Sequence, residues 1–191
     1  AEKGGRVVIN YSKSVDAARV VAAECESLGG DTLLCQADVA NDDDCRRMVA
    51  EALKKWDRLD ALVNNAGTTK FVQHADMDGL DGADFQSIYG VNVIGPFQMV
   101  RAASNALKAS GDASVVNVAS IAGVKGVGSS IAYAASKGAL ITMTQSLARV
   151  LGPEIRVNAV CPGFIKGEWL AEGMGRETYE ASKSFLEAKT P

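Results

Sequence analysis

The sequence predicts an α/β protein built on a doubly wound parallel sheet. Two observations carry this. Short aliphatic or β-branched runs alternate with longer helical patterns along the chain, the order expected of strands joined by crossover helices. The runs are apolar almost throughout rather than alternating, as strands covered on both faces are. No repeat, low-complexity tract or Pro/Ser/Gly linker interrupts the 191 residues, so a single domain is expected.

The strand candidates, in order, are Arg6-Val7-Val8-Ile9-Asn10, Thr32-Leu33-Leu34-Cys35-Gln36, Leu59-Asp60-Ala61-Leu62-Val63, Ser114-Val115-Val116-Asn117-Val118 and Ile155-Arg156-Val157-Asn158-Ala159-Val160. The first helical pattern covers 14–28 and is rich in Ala and Glu. The second, 41–56, opens on Asn41-Asp42-Asp43-Asp44. An amide cap followed by acids suits the positive end of a helix. A third pattern spans 81–109 and a fourth 129–151. The tail, 168–189, reads as one or two polar helices that cover other parts of the molecule, the second from Tyr179 to Lys189.

Composition removes several functional classes. Hydrophobic residues are 47%, charged residues 23% and the net charge is -3, so there is no basic footprint for nucleic acid. No apolar run reaches the ~20 residues that span a bilayer. The first five residues hold no apolar stretch of the secretory kind, and a cytoplasmic location is expected. Cys25, Cys35, Cys45 and Cys161 form no C-x-x-C pair and are read as free thiols. With His74 the one histidine, neither a metal site nor a His-based mechanism has its parts.

Three clusters bear chemistry. In Tyr133-Ala134-Ala135-Ser136-Lys137 the phenol and the ammonium are four residues apart, on one face of a helix. An adjacent cation favours the phenolate and lowers its pKa, which suits a general acid and base. By itself the spacing also fits an ordinary surface pair. Upstream, Val115-Val116-Asn117-Val118-Ala119-Ser120 releases a serine at the carboxyl end of a strand, where open α/β sheets place their ligands. Gly123, Gly126 and Gly128 permit a loop that returns to that end, although Ser120 alone reads as a turn residue. In Leu62-Val63-Asn64-Asn65-Ala66-Gly67 a strand again runs into amide and small residues, which suits either a plain turn or the close approach of a flat ring.

Taken in order, Asp38-Val39, Asn64-Asn65-Ala66-Gly67, Asn92, Ser120, Tyr133-x-x-x-Lys137 and Cys161-Pro162-Gly163 resemble the short-chain dehydrogenase/reductase family over nearly the whole chain. Within it they look most like bacterial 3-oxoacyl-(acyl carrier protein) reductases and glucose dehydrogenase-like members. The resemblance implies a Rossmann-type fold and an oxidoreductase that interconverts a carbonyl and a secondary alcohol. It implies that Tyr133 transfers the proton, Lys137 lowers its pKa and holds the nicotinamide ribose, and Ser120 orients the carbonyl. Asn92 would kink its helix and support a relay water. Asp38 and Val39 would border the adenine, Asn65, Ala66 and Gly67 the adenosine ribose and mid-cofactor, and Pro162, Gly163 and Ile165 the nicotinamide. Read without the resemblance, Asn92 is an internally bonded polar residue, Asp38 a helix cap and Ile165 a core residue.

The first strand ends in Asn10-Tyr11-Ser12-Lys13-Ser14, with no acid for a ribose 2′-hydroxyl. Ser12 and Lys13 suit a 2′-phosphate, so NADP(H) is expected ahead of NAD(H). The family pattern breaks in three places. No glycine-rich phosphate turn precedes the first strand, the segment after Gly163 lacks the family's usual threonine, and the sequence ends at Thr190-Pro191. The sequence is therefore expected to be a fragment, beginning at the family's second strand, inactive alone, with a gap where the first strand would lie. The substrate pocket is expected from 164–191. A homodimer or homotetramer is expected through the helices at 81–109 and 129–151. The alternative is a non-catalytic binding member of the same fold.

Overall fold

The computed structural model describes residues 4–188. Five strands form, and every pairing is parallel. β1 (Arg6–Tyr11) pairs with β2 (Asp31–Gln36), Arg6 opposite Asp31 and Tyr11 opposite Gln36. β3 (Ala61–Asn64), β4 (Ala113–Val118) and β5 (Ile155–Val160) form a second sheet in that order. The strand candidates coincide with these to within two residues at either end.

β1 and β3 are not paired with each other. Between them lies a cavity of about 900 Å³, walled by Val8 and Asn10 on one side and by Leu62 and Asn64 on the other, with Met48 and Met99 beneath. The expected gap beside the first strand is thus present.

Crossover helices supply the layers. α1 (Val15–Ser27) links β1 to β2. α2 (Asp42–Trp56) starts where the Asn41 side chain accepts from the Asp43 and Asp44 amides, at 2.9 and 3.3 Å. It stops at Asp57, which turns left-handed at φ 54°. The third helical pattern is interrupted around Asn92, where the resemblance implied a kink. α3 (Gly82–Tyr89), opened by an Asp81/Asp84 capping box, leads into a π-turn at Gly90–Ile94 and then α4 (Gly95–Ser110). Gly95 lies against Val39, where a Cβ would approach the valine Cγ2 to 2.8 Å. Asp42 of α2 pairs with Arg101 of α4 at 2.6 Å, joining the two helices over a core of Met48, Val49, Met99, Val100, Leu107, Val115 and Ile155.

A short helix, α5 (Ala122–Lys125), occupies part of the expected loop after β4, and α6 (Ile131–Leu151) follows it. The tail forms α7 (Glu168–Met174) and α8 (Arg176–Glu187). It covers neighbouring elements, as expected. Gly173 sits on the Phe71 ring, where a Cβ would lie 2.0 Å from Cε2, and Trp169 meets the same ring edge-on at 5.7 Å. The tail helix starts three residues before Tyr179 and ends at Glu187. Lys189, to which it was expected to run, lies outside the described residues, as do 1–3, 190 and 191. All four cysteines are free. Burial raises the Cys45 thiol pKa to about 11, helped by nearby Asp42, Asp44 and Asp38.

Candidate active site

The carboxyl ends of β1 to β5 open on one side, and the chemistry-bearing residues collect there. β4 delivers Ser120 just past Val118. The Ser120 Oγ accepts from the Ala122 amide at 3.1 Å, and the Ser120 side chain acts on the Tyr133 phenol so as to lower its pKa. α6 delivers Tyr133 and Lys137 one turn apart. Its first turn is fixed by Ser130, fully buried, whose Oγ accepts from the Tyr133 amide at 3.3 Å. α5 rests directly on the α6 backbone through Gly123, where a Cβ would fall 2.4 Å from the Gly138 nitrogen. That contact holds the Ser120 loop against the helix carrying Tyr133.

The electrostatics correct one expectation. The Tyr133 pKa is raised, chiefly by burial, with the Ser120 hydrogen bond pulling it partly back. Lys137 does not lower it here. Its ammonium donates to the Val118 carbonyl at 2.7 Å and sits 5.7 Å from the Tyr133 ring centre. Burial lowers the pKa of Lys137 itself to about 8, since removal from water disfavours the charged amine.

Asn92 lies in the π-turn and is fully buried. Its Oδ1 accepts from the Thr68 amide at 2.8 Å, and its Nδ2 donates to the Thr68 carbonyl at 2.9 Å and to Ser136 Oγ at 3.0 Å. The reading as an internally bonded polar residue is met, and so is the irregularity in the helix. Asn65, Ala66 and Gly67 are exposed just past β3. A Cβ on Gly67 would lie 3.5 Å from Asn92 Oδ1 and 3.6 Å from Lys137 Nζ, at ordinary contact distance, so the loop after β3 runs beside both side chains.

The remaining candidates lie just past the carboxyl ends of β1, β2 and β5. Ser12 and Lys13 are exposed past β1, and Gln36 donates to the Ser12 carbonyl at 3.1 Å. Asp38 is exposed and its carboxylate accepts from the Ala40 amide at 2.9 Å, a local turn rather than a cap on α2. Val39 is buried, its carbonyl held by Gln98 Nε2 at 2.9 Å. The Pro162 carbonyl accepts from the Ile121 amide at 3.0 Å, and Gly163 is exposed. Ile165 is 60% exposed, which excludes the core reading for it. Among the described residues no group of three or more His, Cys, Asp or Glu is placed to hold a metal.

A second buried polar chain has no counterpart among the sequence candidates. Asn64 Nδ2 donates to Asn117 Oδ1 at 2.8 Å, Asn117 Nδ2 to Thr144 Oγ1 at 2.8 Å, and Thr144 Oγ1 to the Leu140 carbonyl at 2.7 Å. It ties β3, β4 and α6 together beneath the site. Asn64 and Asn117 stand at equivalent places late in two apolar strands, and that is the signal by which they could have been found.

The residues fit the reactive half of a nicotinamide cofactor. Gly67 runs beside an amide and an ammonium, and the Ser120 side chain acts on the Tyr133 phenol. A glycine-rich turn for the pyrophosphate is not among residues 1–191.

A family model described as short chain dehydrogenase matches residues 1–178. A Streptomyces violaceoruber protein named for a ketoacyl reductase of the granaticin polyketide synthase is 45% identical over 88% of this chain and 66% of its own length. A 3-oxoacyl-[acyl-carrier-protein] reductase of Synechocystis is 36% identical over 86% of this chain and 66% of its own. The chain thus spans 66% of the length of these curated relatives. Among solved structures, one assigned to the short-chain dehydrogenase/reductases from Burkholderia xenovorans superposes with a TM-score of 0.82 at 47% identity, covering 87% of this chain and 70% of the other. A NAD+-bound xylitol dehydrogenase also gives 0.82, at 29% identity, over 90% of this chain and 65% of its own. The chain belongs to the short-chain dehydrogenase family.

Proposed function

We propose that this chain carries the proton-transfer centre of an NADP(H)-dependent carbonyl reductase, working in the cytoplasm as a homodimer or homotetramer, and that a further strand from outside residues 1–191 fills the slot between β1 and β3. The observation that supports the reading most is the convergence of β4 and α6, which brings the Ser120 loop against the helix that carries Tyr133 and the buried ammonium of Lys137, 5.7 Å from the Tyr133 ring centre. When bound, the reduced cofactor supplies a hydride to the carbonyl carbon. Tyr133 gives its phenolic proton to the carbonyl oxygen as the C=O π bond breaks, leaving a secondary alcohol. Ser120 Oγ donates to the same oxygen and holds it against the phenol. Lys137, positively charged below a pKa of about 8, would hold the ribose. Lys13 and Ser12 take the 2′-phosphate, and Asp38 and Val39 border the adenine. Asn65, Ala66, Gly67, Pro162, Gly163 and Ile165 line the rest of the cofactor path.

The names of two relatives point to 3-oxoacyl substrates, and ethyl acetoacetate is the simplest probe of that class. In the full-length protein with NADPH, Tyr133→Phe should lose about 10²–10⁴-fold in kcat while keeping its thermal unfolding midpoint. Activity within a few-fold of wild type would remove Tyr133 from its role. A kcat/KM ratio favouring NADPH over NADH, lowered by Lys13→Ala, is expected; equal use of both cofactors would overturn the preference. The convergence of Ser120, Tyr133 and Lys137 disfavours the alternative of a non-catalytic binding member, because packing alone demands none of the three.

A further inference from the structure

Ser136 has no part in the chemistry described above, yet it is fully buried between Tyr133 and Lys137 on α6. Its hydroxyl is used twice. Oγ donates to the Tyr133 carbonyl at 2.7 Å and accepts from Asn92 Nδ2 at 3.0 Å. A helical serine commonly bonds back to a carbonyl of the preceding turn, and that bond needs no other partner. The second bond is the unusual one, reaching 44 residues back along the chain.

Asn92 extends the chain of bonds. Its amide grips both backbone groups of Thr68, the residue directly after Asn65-Ala66-Gly67. One Nδ2 proton goes to the Thr68 carbonyl and the other to Ser136, so the amide is fully engaged. A continuous bridge therefore runs from the loop after β3, through Asn92 and Ser136, to the backbone of Tyr133. In a water-poor interior such a bridge has few alternatives, because each group released from it has no other partner.

We infer that Ser136 is a positioning residue. It locks the first turn of α6 to the loop after β3 and so fixes the Tyr133 hydroxyl relative to Ser120, Lys137 and Gly67. The inference rests on Tyr133 being the proton donor. A hydroxyl group in an active site tolerates little displacement, and an error near 1 Å can cost about 10²-fold.

The test uses the full-length protein, NADPH and ethyl acetoacetate. Ser136→Ala should lower kcat by about tenfold or more, leave KM for the ketone within about threefold, and shift the midpoint of the kcat–pH profile, since the phenol then meets a changed field. Because Ser136 acts through the same bridge as Asn92, the two losses should not multiply. Ser136→Ala combined with Asn92→Ala should be about as slow as the slower single variant. Wild-type kcat and pH midpoint in Ser136→Ala, or fully multiplicative losses in the double variant, would overturn the inference. If Ser136→Ala does not fold, Ser136→Cys carries the test. Its thiol is close in size and a weak hydrogen-bond partner, so kcat should again fall, and an unchanged kcat would again overturn the inference. Tyr133→Phe is measured alongside. An active Tyr133→Phe would remove the proton-transfer reading itself, whereas an inactive Tyr133→Phe beside a fully active Ser136→Ala would remove only the role of Ser136.

Discussion

Lys137 shows how one side chain can be costly to the fold and useful at the site. It is 4% exposed and its pKa falls from 10.5 to about 8 because burial penalises the ammonium. Below pH 8 the folded and unfolded chains both carry the proton, and the burial penalty is present in full. Between about 8 and 10.5 the unfolded chain holds more protons than the folded one, so stability rises with pH in that window. A tenfold difference in proton affinity between the two states corresponds to about 1.4 kcal/mol. From pH 7 to pH 10 the stability of wild type relative to Lys137→Met should therefore increase by on the order of 2 kcal/mol. Paired denaturant titrations check this, and a difference that stays flat or falls would show that the ammonium is not held in a dry setting. The sequence spacing correctly put Lys137 beside Tyr133. It could not reveal that the ammonium donates to the Val118 carbonyl, because that acceptor is a backbone atom on a strand nineteen residues away.

At the scale of elements, the site depends on how closely α5 and β4 can sit against α6. Gly123 allows the backbones to meet, with a Cβ there falling 2.5 Å from the Lys137 carbonyl carbon. Gly123→Ala must push α5 off α6 and carry Ser120 away from Tyr133. A loss of about 1–3 kcal/mol in stability is expected, with a fall in kcat larger than any change in cofactor affinity. Unfolding curves and single-turnover rates would check both, and a neutral Gly123→Ala would mean the contact can relax. Beneath it, Asn117 joins Asn64 to Thr144. Asn117→Ala removes one bond from each of two buried partners, leaving Thr144 Oγ1 with the Leu140 carbonyl and Asn64 Nδ2 with the Pro96 carbonyl at 3.5 Å, and should cost about 1–3 kcal/mol; a variant within about 0.5 kcal/mol of wild type, the range of a neutral surface change, would show that water replaces the amide. The helix pattern across 81–109 was legible as apolar periodicity. Its break at Gly90–Ile94 was implied only by the resemblance, as a kink at Asn92; apolar periodicity does not mark it, and the bonds that Asn92 makes there to Thr68 and Ser136 are tertiary.

For the molecule as a whole, the open slot between the two sheets is the dominant feature. β1 and β3 each present an unpaired edge to a cavity of about 900 Å³ lined by Val7, Val8, Leu62 and Val63. Adjacent strands stand about 4.8 Å apart, so one inserted parallel strand needs its neighbours about 9–10 Å apart. In the full-length protein the amides of Val8 and Leu62 should exchange slowly with solvent. In residues 1–191 alone they should exchange quickly, and the cavity should bind an apolar dye. Equal protection in both would show that the slot closes without another strand. Among the described residues no helix is long and apolar enough to cross a membrane.

Local signals in the sequence specify the succession of strands and helices, their parallel pairing, and the spacing of Tyr133 and Lys137 on one helix. Apolar runs, caps such as Asn41 and the four-residue Tyr-Lys spacing are local signals, governed by backbone geometry and solvent exposure within a few residues. Tertiary structure decided which groups those residues bond. Asn117, Thr144 and Ser136 resemble ordinary polar residues in sequence, and with Asn64 and Asn92 they become a buried framework because β3, β4, the π-turn and α6 converge from positions 24 to 53 residues apart. The pKa of Tyr133 was decided in the same way. Its direction follows from burial beneath neighbouring elements, and desolvation depends on what the whole fold brings near rather than on the adjacent residue in the chain.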